Sequence, residues 1–214
     1  MKTVCICGGG SLGHVLAGWL SAHHYAKVNI LTNRPSQWTH TIEIDTPDGK
    51  LLKGNIDVIS NLPEQAVVSA DVVILCLPGF LIREELEAIK PHLSRDTFVG
   101  CVFSSTGFFF EAKSILDERQ PLWGFQRVPF ISRVQEYGRK AHLLGYKDSH
   151  RVAVENVSEE EKSKFIAWLQ ECLGSPVKML KNYFEASLTN SNPLLHTSRL
   201  YTMFGGENEG KVYP

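Results

Sequence analysis

The chain has no surplus of either charge: its 22 lysines and arginines stand against 23 aspartates and glutamates, for a net charge of -1. Proteins that grip phosphate backbones or anionic lipid need a basic excess, so neither nucleic acid nor a membrane surface is an expected partner. Long hydrophobic runs are also missing, and none nears the roughly 18 residues that a membrane span requires. With a strand-like run already at residues 2–7, the expectation is of no signal peptide and a cytoplasmic location. Cysteines are few and odd in number. Cys5, Cys7, Cys76 and Cys101 fall inside apolar runs, with Cys172 the fifth, and they read as small core residues kept reduced. Zinc needs paired thiolates or imidazoles at ligand spacing; Cys5-Ile6-Cys7, read as a strand, is expected to turn its sulfurs to opposite faces, so no metal site is expected.

What is present is a composition with 43% hydrophobic and 21% charged residues over 214 positions, enough apolar material for one full domain plus a fragment. Residues 2–7 form a short β-branched run, 8–13 a glycine-rich turn, and 11–24 carry Leu12, Val15, Leu16, Trp19 and Leu20 at helical spacing. A second strand at 27–32 completes a βαβ unit of about 30 residues. Thr46-Pro47-Asp48-Gly49 reads as a tight turn between short strands at 41–45 and 50–53, a hairpin inserted before a third strand at 57–60. ADVVILCL at 70–77 is the most continuous apolar run, as expected of a central parallel strand covered on both faces.

A helix at 81–93 and strands at 97–103 and 122–128 continue the alternation. Segments 141–145 and 150–155 read as a second hairpin across Tyr146-Lys147-Asp148-Ser149. Ser158 with Glu161 has capping-box spacing, and Gly174 is placed to stop that helix. A strand at 177–180 leads to a helical stretch at 182–204, which Pro193 should kink or restart, and 205–210 reads as loop. The expected fold is α/β: a doubly wound Rossmann-type, mostly parallel sheet over residues 1–180, followed at 181–214 by the first helical segment of an α-helical domain.

Gly8-Gly9-Gly10-Ser11-Leu12-Gly13 follows a strand and opens a helix, the context that gives a G-x-G-x-x-G its meaning. Gly8 serves the tight turn, Gly10 lets the backbone approach a pyrophosphate, and Gly13 lets helix and strand pack closely, with the amides around Ser11 and Leu12 facing the anion. At the end of the second strand an NAD site carries a carboxylate for the ribose 2′-hydroxyl; this chain has Asn33-Arg34, so nothing repels a 2′-phosphate and a guanidinium stands ready to pair with it. NADP(H) is therefore favoured, with NAD retained. Arg34 as a solvated loop residue, or stacked on adenine, stays open. Leu77-Pro78 and Thr106 end strands at the same carboxyl edge, where cofactors lie, although ordinary strand-to-helix turns explain them equally.

The order of these motifs resembles the opine dehydrogenases (the octopine/nopaline dehydrogenase family), within a superfamily that includes ketopantoate reductases and glycerol-3-phosphate dehydrogenases. The resemblance rests on the glycine loop, Leu31-Thr32-Asn33-Arg34-Pro35, Ala70-Asp71 leading to Leu77-Pro78-Gly79, Pro129-Phe130 with Arg133, and Asn190-Ser191-Asn192-Pro193-Leu194-Leu195-His196. It implies NAD(P)H-dependent reduction of the imine formed by a 2-oxo acid and an amino acid, with His196 in the catalytic place. Family members continue well beyond position 214, so the chain resembles a truncated member, or a second copy in a homodimer supplies the missing walls. A ketone reductase of ketopantoate or glycerol-phosphate type, and a catalytically silent dinucleotide-binding module, remain as alternatives.

Reduction of an imine needs a proton donor, which histidine suits. Asn192, four residues before His196, shares its face on a continuous helix and would orient either the imidazole or the nicotinamide amide. Arg133 either neutralises a substrate carboxylate or pairs with Glu136 at helical spacing. His14 reads as a plain helix-start residue, His23-His24 as a helix end, and Phe108-Phe109-Phe110 as core.

Overall fold

A computed structural model describes residues 1–204, so the loop expected at 205–210 lies outside the described residues. The first strand, β1 (Lys2–Cys7), lies inside an eight-stranded sheet, third from one edge, where its residues from Val4 to Cys7 are apolar on both faces. Val4 and Ile6 pack on one side with α1 (Ser11–Ala22) and α5 (Glu159–Leu173), while Cys5 and Cys7 pack on the other with α3 (Ile82–Ile89) and α4 (Phe108–Ile115). Residues two apart on a strand share a face. The expectation that Cys5 and Cys7 oppose each other is therefore corrected: it is Ile6 that faces the other way.

On the nearer edge, β1 pairs in parallel with β2 (Ala26–Leu31), and β2 with β5 (Val58–Ser60). On the other flank come β6 (Val72–Leu75), β7 (Phe98–Cys101) and β8 (Leu122–Phe125), all parallel. The sheet closes with β11 (His150–Glu155), antiparallel to β8, and β12 (Val177–Met179), parallel to β11. The alternating burial of Val72 and Ile74 against Val73 and Leu75 repeats that of β1, so helices cover both faces, as in a doubly wound Rossmann sheet. Ser158 caps α5 with Glu161 reciprocally, and Gly174 ends it in the left-handed region at φ 63°.

A second sheet of four strands holds β3 (Thr41–Asp45), β4 (Leu51–Asn55), β9 (Ile131–Glu136) and β10 (Lys140–Gly145), in the order β4-β3-β10-β9. Two hairpins, distant in sequence, join here through parallel β3 and β10. The expected hairpin of 141–145 with 150–155 is corrected accordingly, because these segments belong to different sheets. Their burial shows the reason: Val152, Ala153 and Val154 are buried consecutively, as in a strand covered on both faces, whereas Ala141 and Leu143 alternate with more exposed neighbours. The second sheet lies on α1 at close range. A Cβ at Gly54 would stand 2.8 Å from the Gly18 carbonyl oxygen, so the helix and β4 touch through backbone.

The stretch after β12 divides into α6 (Tyr183–Leu188) and α7 (Asn192–Phe204), with Pro193 in the first turn of α7, where it restarts the helix. Phe108 and Phe109 are fully buried and Phe110 is exposed. Among the described residues no helix is long and apolar enough to cross a membrane.

Candidate functional site

The chain leaves β1 at Cys7 and turns at Gly8, whose φ of +112° suits glycine; a Cβ there would also stand 2.8 Å from the Cys76 carbonyl oxygen. Gly13, one turn into α1, faces back on Gly8, and a Cβ on it would collide with the Gly8 carbonyl. Gly10 is different. Its φ of -83° is ordinary, and a Cβ on it would meet nothing nearer than the Cys76 carbonyl oxygen at 4.0 Å. Neither backbone strain nor packing within the chain requires glycine there, but a ligand approaching the loop would. Gly10 also caps α1 with no side-chain hydrogen bond, and the first turn holds no acidic residue, so the helix start is left uncapped, an arrangement that favours an anion. These residues fit the pyrophosphate of a dinucleotide.

Two cavities flank the loop. The smaller, about 200 Å³, is lined by Gly8, Gly9, Leu31 to Arg34, Leu77, Glu85 and Tyr137. The larger, about 450 Å³, is lined by Gly10, Ser11, Leu12, Cys76, Leu77, Pro78, Thr106 and Arg133 with the mostly apolar Val102, Phe103, Val128, Phe130, Ile131 and Ser132. Of the residues expected at the cofactor, Gly8, Asn33 and Arg34 fall in the first, Gly10, Ser11, Leu12, Pro78 and Thr106 in the second, and Leu77 in both. Gly13 lines neither and acts through packing.

The polar groups of the smaller cavity come from three elements. The Arg34 guanidinium stands 5.8 Å from the centre of the Tyr137 ring and has no carboxylate partner among the described residues. The Tyr137 hydroxyl lies 3.3 Å from Thr32 Oγ1 and occupies the space a Cβ on Gly9 would need. Glu85, on α3, keeps one carboxyl oxygen buried without a hydrogen-bond partner; burial holds its pKa above the usual carboxylate value, against a smaller lowering by the Cys7 thiol.

His14 is not a plain helix-start residue. It is fully buried, its Nδ1 lies 2.9 Å from the Gly10 carbonyl oxygen, and its Nε2 accepts the Gly138 amide at 2.7 Å. With Nδ1 donating to Gly10, the imidazole ties the glycine loop to the turn between β9 and β10. Ser11 Oγ adds a second tie by accepting the Val134 amide at 3.1 Å.

Arg133 lies on β9, not on a helix, so a pairing with Glu136 at helical spacing is corrected: residues three apart on a strand face opposite sides, and Glu136 pairs with Arg139 at 3.0 Å. Arg133 instead donates to the Ser132 carbonyl at the wall of the larger cavity. Asn192 and His196 share one face of the continuous α7, are solvent-exposed, and line neither cavity. Sequence reasoning missed Gly9, Tyr137 and Glu85. Only the neighbouring glycines marked Gly9, and nothing local marked the other two.

The family model described as ketopantoate reductase PanE/ApbA matches residues 4–106. Octopine dehydrogenase of Mizuhopecten yessoensis is 28% identical over 218 residues, covering 94% of this chain and 54% of that enzyme. Tauropine dehydrogenase of Arabella iricolor is 29% identical, over 94% of this chain and 55% of its own length. The chain thus spans just over half the length of these curated relatives. An octopine dehydrogenase solved in complex with NADH and agmatine superposes on all of the chain, and on 57% of its own, with a TM-score of 0.86 at 26% identity. A ketopantoate reductase of Ralstonia eutropha JMP134 shares the fold, with a TM-score of 0.69 at 18% identity over 86% of this chain and 58% of its own. The resemblance to opine dehydrogenases drawn from the motifs stands on the chain's sequence and its fold alike.

Proposed function

We propose that this chain is the dinucleotide-binding half of an NAD(P)H-dependent oxidoreductase of the opine dehydrogenase kind, reducing the imine formed between a 2-oxo acid and an amino acid. The observation that carries this reading is Gly10: a glycine that the chain's own packing does not need, at the uncapped start of a helix, between two cavities at the carboxyl edge of a parallel sheet. The 26%-identical octopine dehydrogenase, solved with NADH, supports a nicotinamide dinucleotide as the ligand.

In this reading the amides around Ser11 and Leu12 hold the pyrophosphate. The adenosine end lies over Gly8, Thr32 and Tyr137, where Arg34 offers a guanidinium to a 2′-phosphate and favours NADP(H) over NAD(H). When bound, the nicotinamide supplies the hydride. Pro78 and Thr106 line the wall of the larger, mainly apolar cavity on that side, which keeps water from the reacting carbon. Arg133 takes a substrate carboxylate. His196 donates the proton and Asn192 orients it, which requires α7 to form the beginning of a second domain over residues 181–214 that folds across the cavity.

Equilibrium titration of the chain with NADPH and with NADH, followed by tryptophan fluorescence, tests the first step. Saturable binding that a Gly10→Val substitution removes is the expected result; a folded chain without affinity for either dinucleotide overturns the proposal.

A further inference from the structure

Where β8 ends and β11 begins, a cavity of about 300 Å³ opens beside the α6–α7 junction, sharing no lining residue with the two cavities at the glycine loop. Arg127, Lys147 and Arg151 line it, and no carboxylate does. None of the three has an acidic ion-pair partner among the described residues. Like charges held together this way repel: burial and the Arg127 charge lower the Lys147 pKa, and burial and the Lys147 charge push His150 down to about 4. His150 is 4% exposed, and its Nδ1 is buried with no hydrogen-bond partner. A neutral imidazole at that position offers one N–H without adding to the repulsion.

We propose that this cavity is a binding site for a compact, doubly charged oxyanion, a phosphate ester or a dicarboxylate, held by Arg127, Lys147 and Arg151 with His150 donating from Nδ1. The chemistry of the donor set is what such an anion needs: a guanidinium on each flanking strand end, an ammonium from the loop and a buried neutral donor. The site is also connected. Arg127 donates to Ser191 Oγ at 2.9 Å and Gln126 donates to Thr189 Oγ1, so occupancy bears on the segment that leads into α7. This inference goes beyond the reading of the glycine loop and does not depend on it.

The test is calorimetric titration of the chain with inorganic phosphate in one arm and succinate in the other, at ionic strength held constant with potassium chloride. Saturable binding in at least one arm is expected, and the stronger arm identifies the class of anion. Lys147→Gln or Arg151→Gln should each weaken it about tenfold, and the double variant should abolish it. Both residues are at the edge of the site, so circular dichroism should be unchanged. Gly10→Val and saturating NADPH should leave the affinity as it was, which separates this site from the helix α1 start. Phosphate should also shift the His150 ring resonances in proton–nitrogen spectra. Absence of saturable binding in both arms overturns the proposal, as does binding that survives in the folded double variant.

Discussion

The imidazole of His14 accepts the amide of Gly138 at 2.7 Å across 124 residues of sequence, while its other nitrogen holds the Gly10 carbonyl. One buried side chain thereby fixes the glycine loop against the second sheet and brings Tyr137 over Gly9. Replacing His14 by Leu strands the Gly138 amide, at a cost of about 1 to 3 kcal/mol. Urea unfolding should show that loss, and dinucleotide affinity should fall with it as the loop loosens.

Acid should weaken the fold over a defined window. Burial lowers the His14 pKa from its ordinary 6.5, opposed in part by the Gly10 carbonyl, and burial with the Lys147 charge takes His150 from 6.5 to about 4. Between those values the unfolded chain binds more protons than the folded one. The stabilisation from keeping these rings neutral is therefore full above pH 6.5 and is lost as pH falls towards about 4. The urea midpoint measured against pH should decline across that interval; a flat profile would mean that both rings are solvated in the folded chain.

Two glycines of the same loop should fail differently. Gly13→Val drives a side chain into the Gly8 carbonyl and should destabilise the fold by at least the 1 to 3 kcal/mol, roughly, of an overpacked core. Gly10→Val meets no such obstacle and should leave the circular dichroism spectrum and melting midpoint close to wild type while removing dinucleotide binding.

Arg34 is exposed and unpaired with any carboxylate among the described residues, so Arg34→Ala should alter stability by no more than about 0.5 kcal/mol. The Kd of NADPH should nonetheless rise towards that of NADH. An unmutated chain that binds NADH as tightly as NADPH removes the case for a 2′-phosphate contact.

The role proposed for His196 depends on the proposed second domain. In a polypeptide joining this chain to the remaining half of the octopine dehydrogenase fold, His196→Asn should keep NADPH affinity and lower single-turnover imine reduction by roughly 10² to 10⁴-fold, the range of general acid catalysis. A full rate in the variant at every pH tested assigns the proton to another group.

Much of this architecture was legible because it is written locally. The alternation of apolar strands and amphipathic helices, the capping box at Ser158, the left-handed stop at Gly174 and the restart at Pro193 each follow from residues within a turn or two of one another. The glycine loop was equally readable, since strand, turn and helix are contiguous. Even there one local inference failed: the faces of Cys5 and Cys7 follow from a period of two, which puts both on the side of α3 and α4.

Sequence by itself determined the doubly wound sheet, the glycine-rich loop that opens α1, and the absence of an acidic residue at the end of β2. Tertiary structure alone decided which strands share the second sheet, since β10 finds β3 rather than its neighbour β11 only once α1 offers a surface for both to cover. It also decided that His14 is a buried bridge, that Tyr137 roofs the loop and that Glu85 reaches the cavity with an unpaired oxygen. Each of these joins segments distant in the chain, and such contacts depend on how complete faces pack together, which no short window of residues encodes.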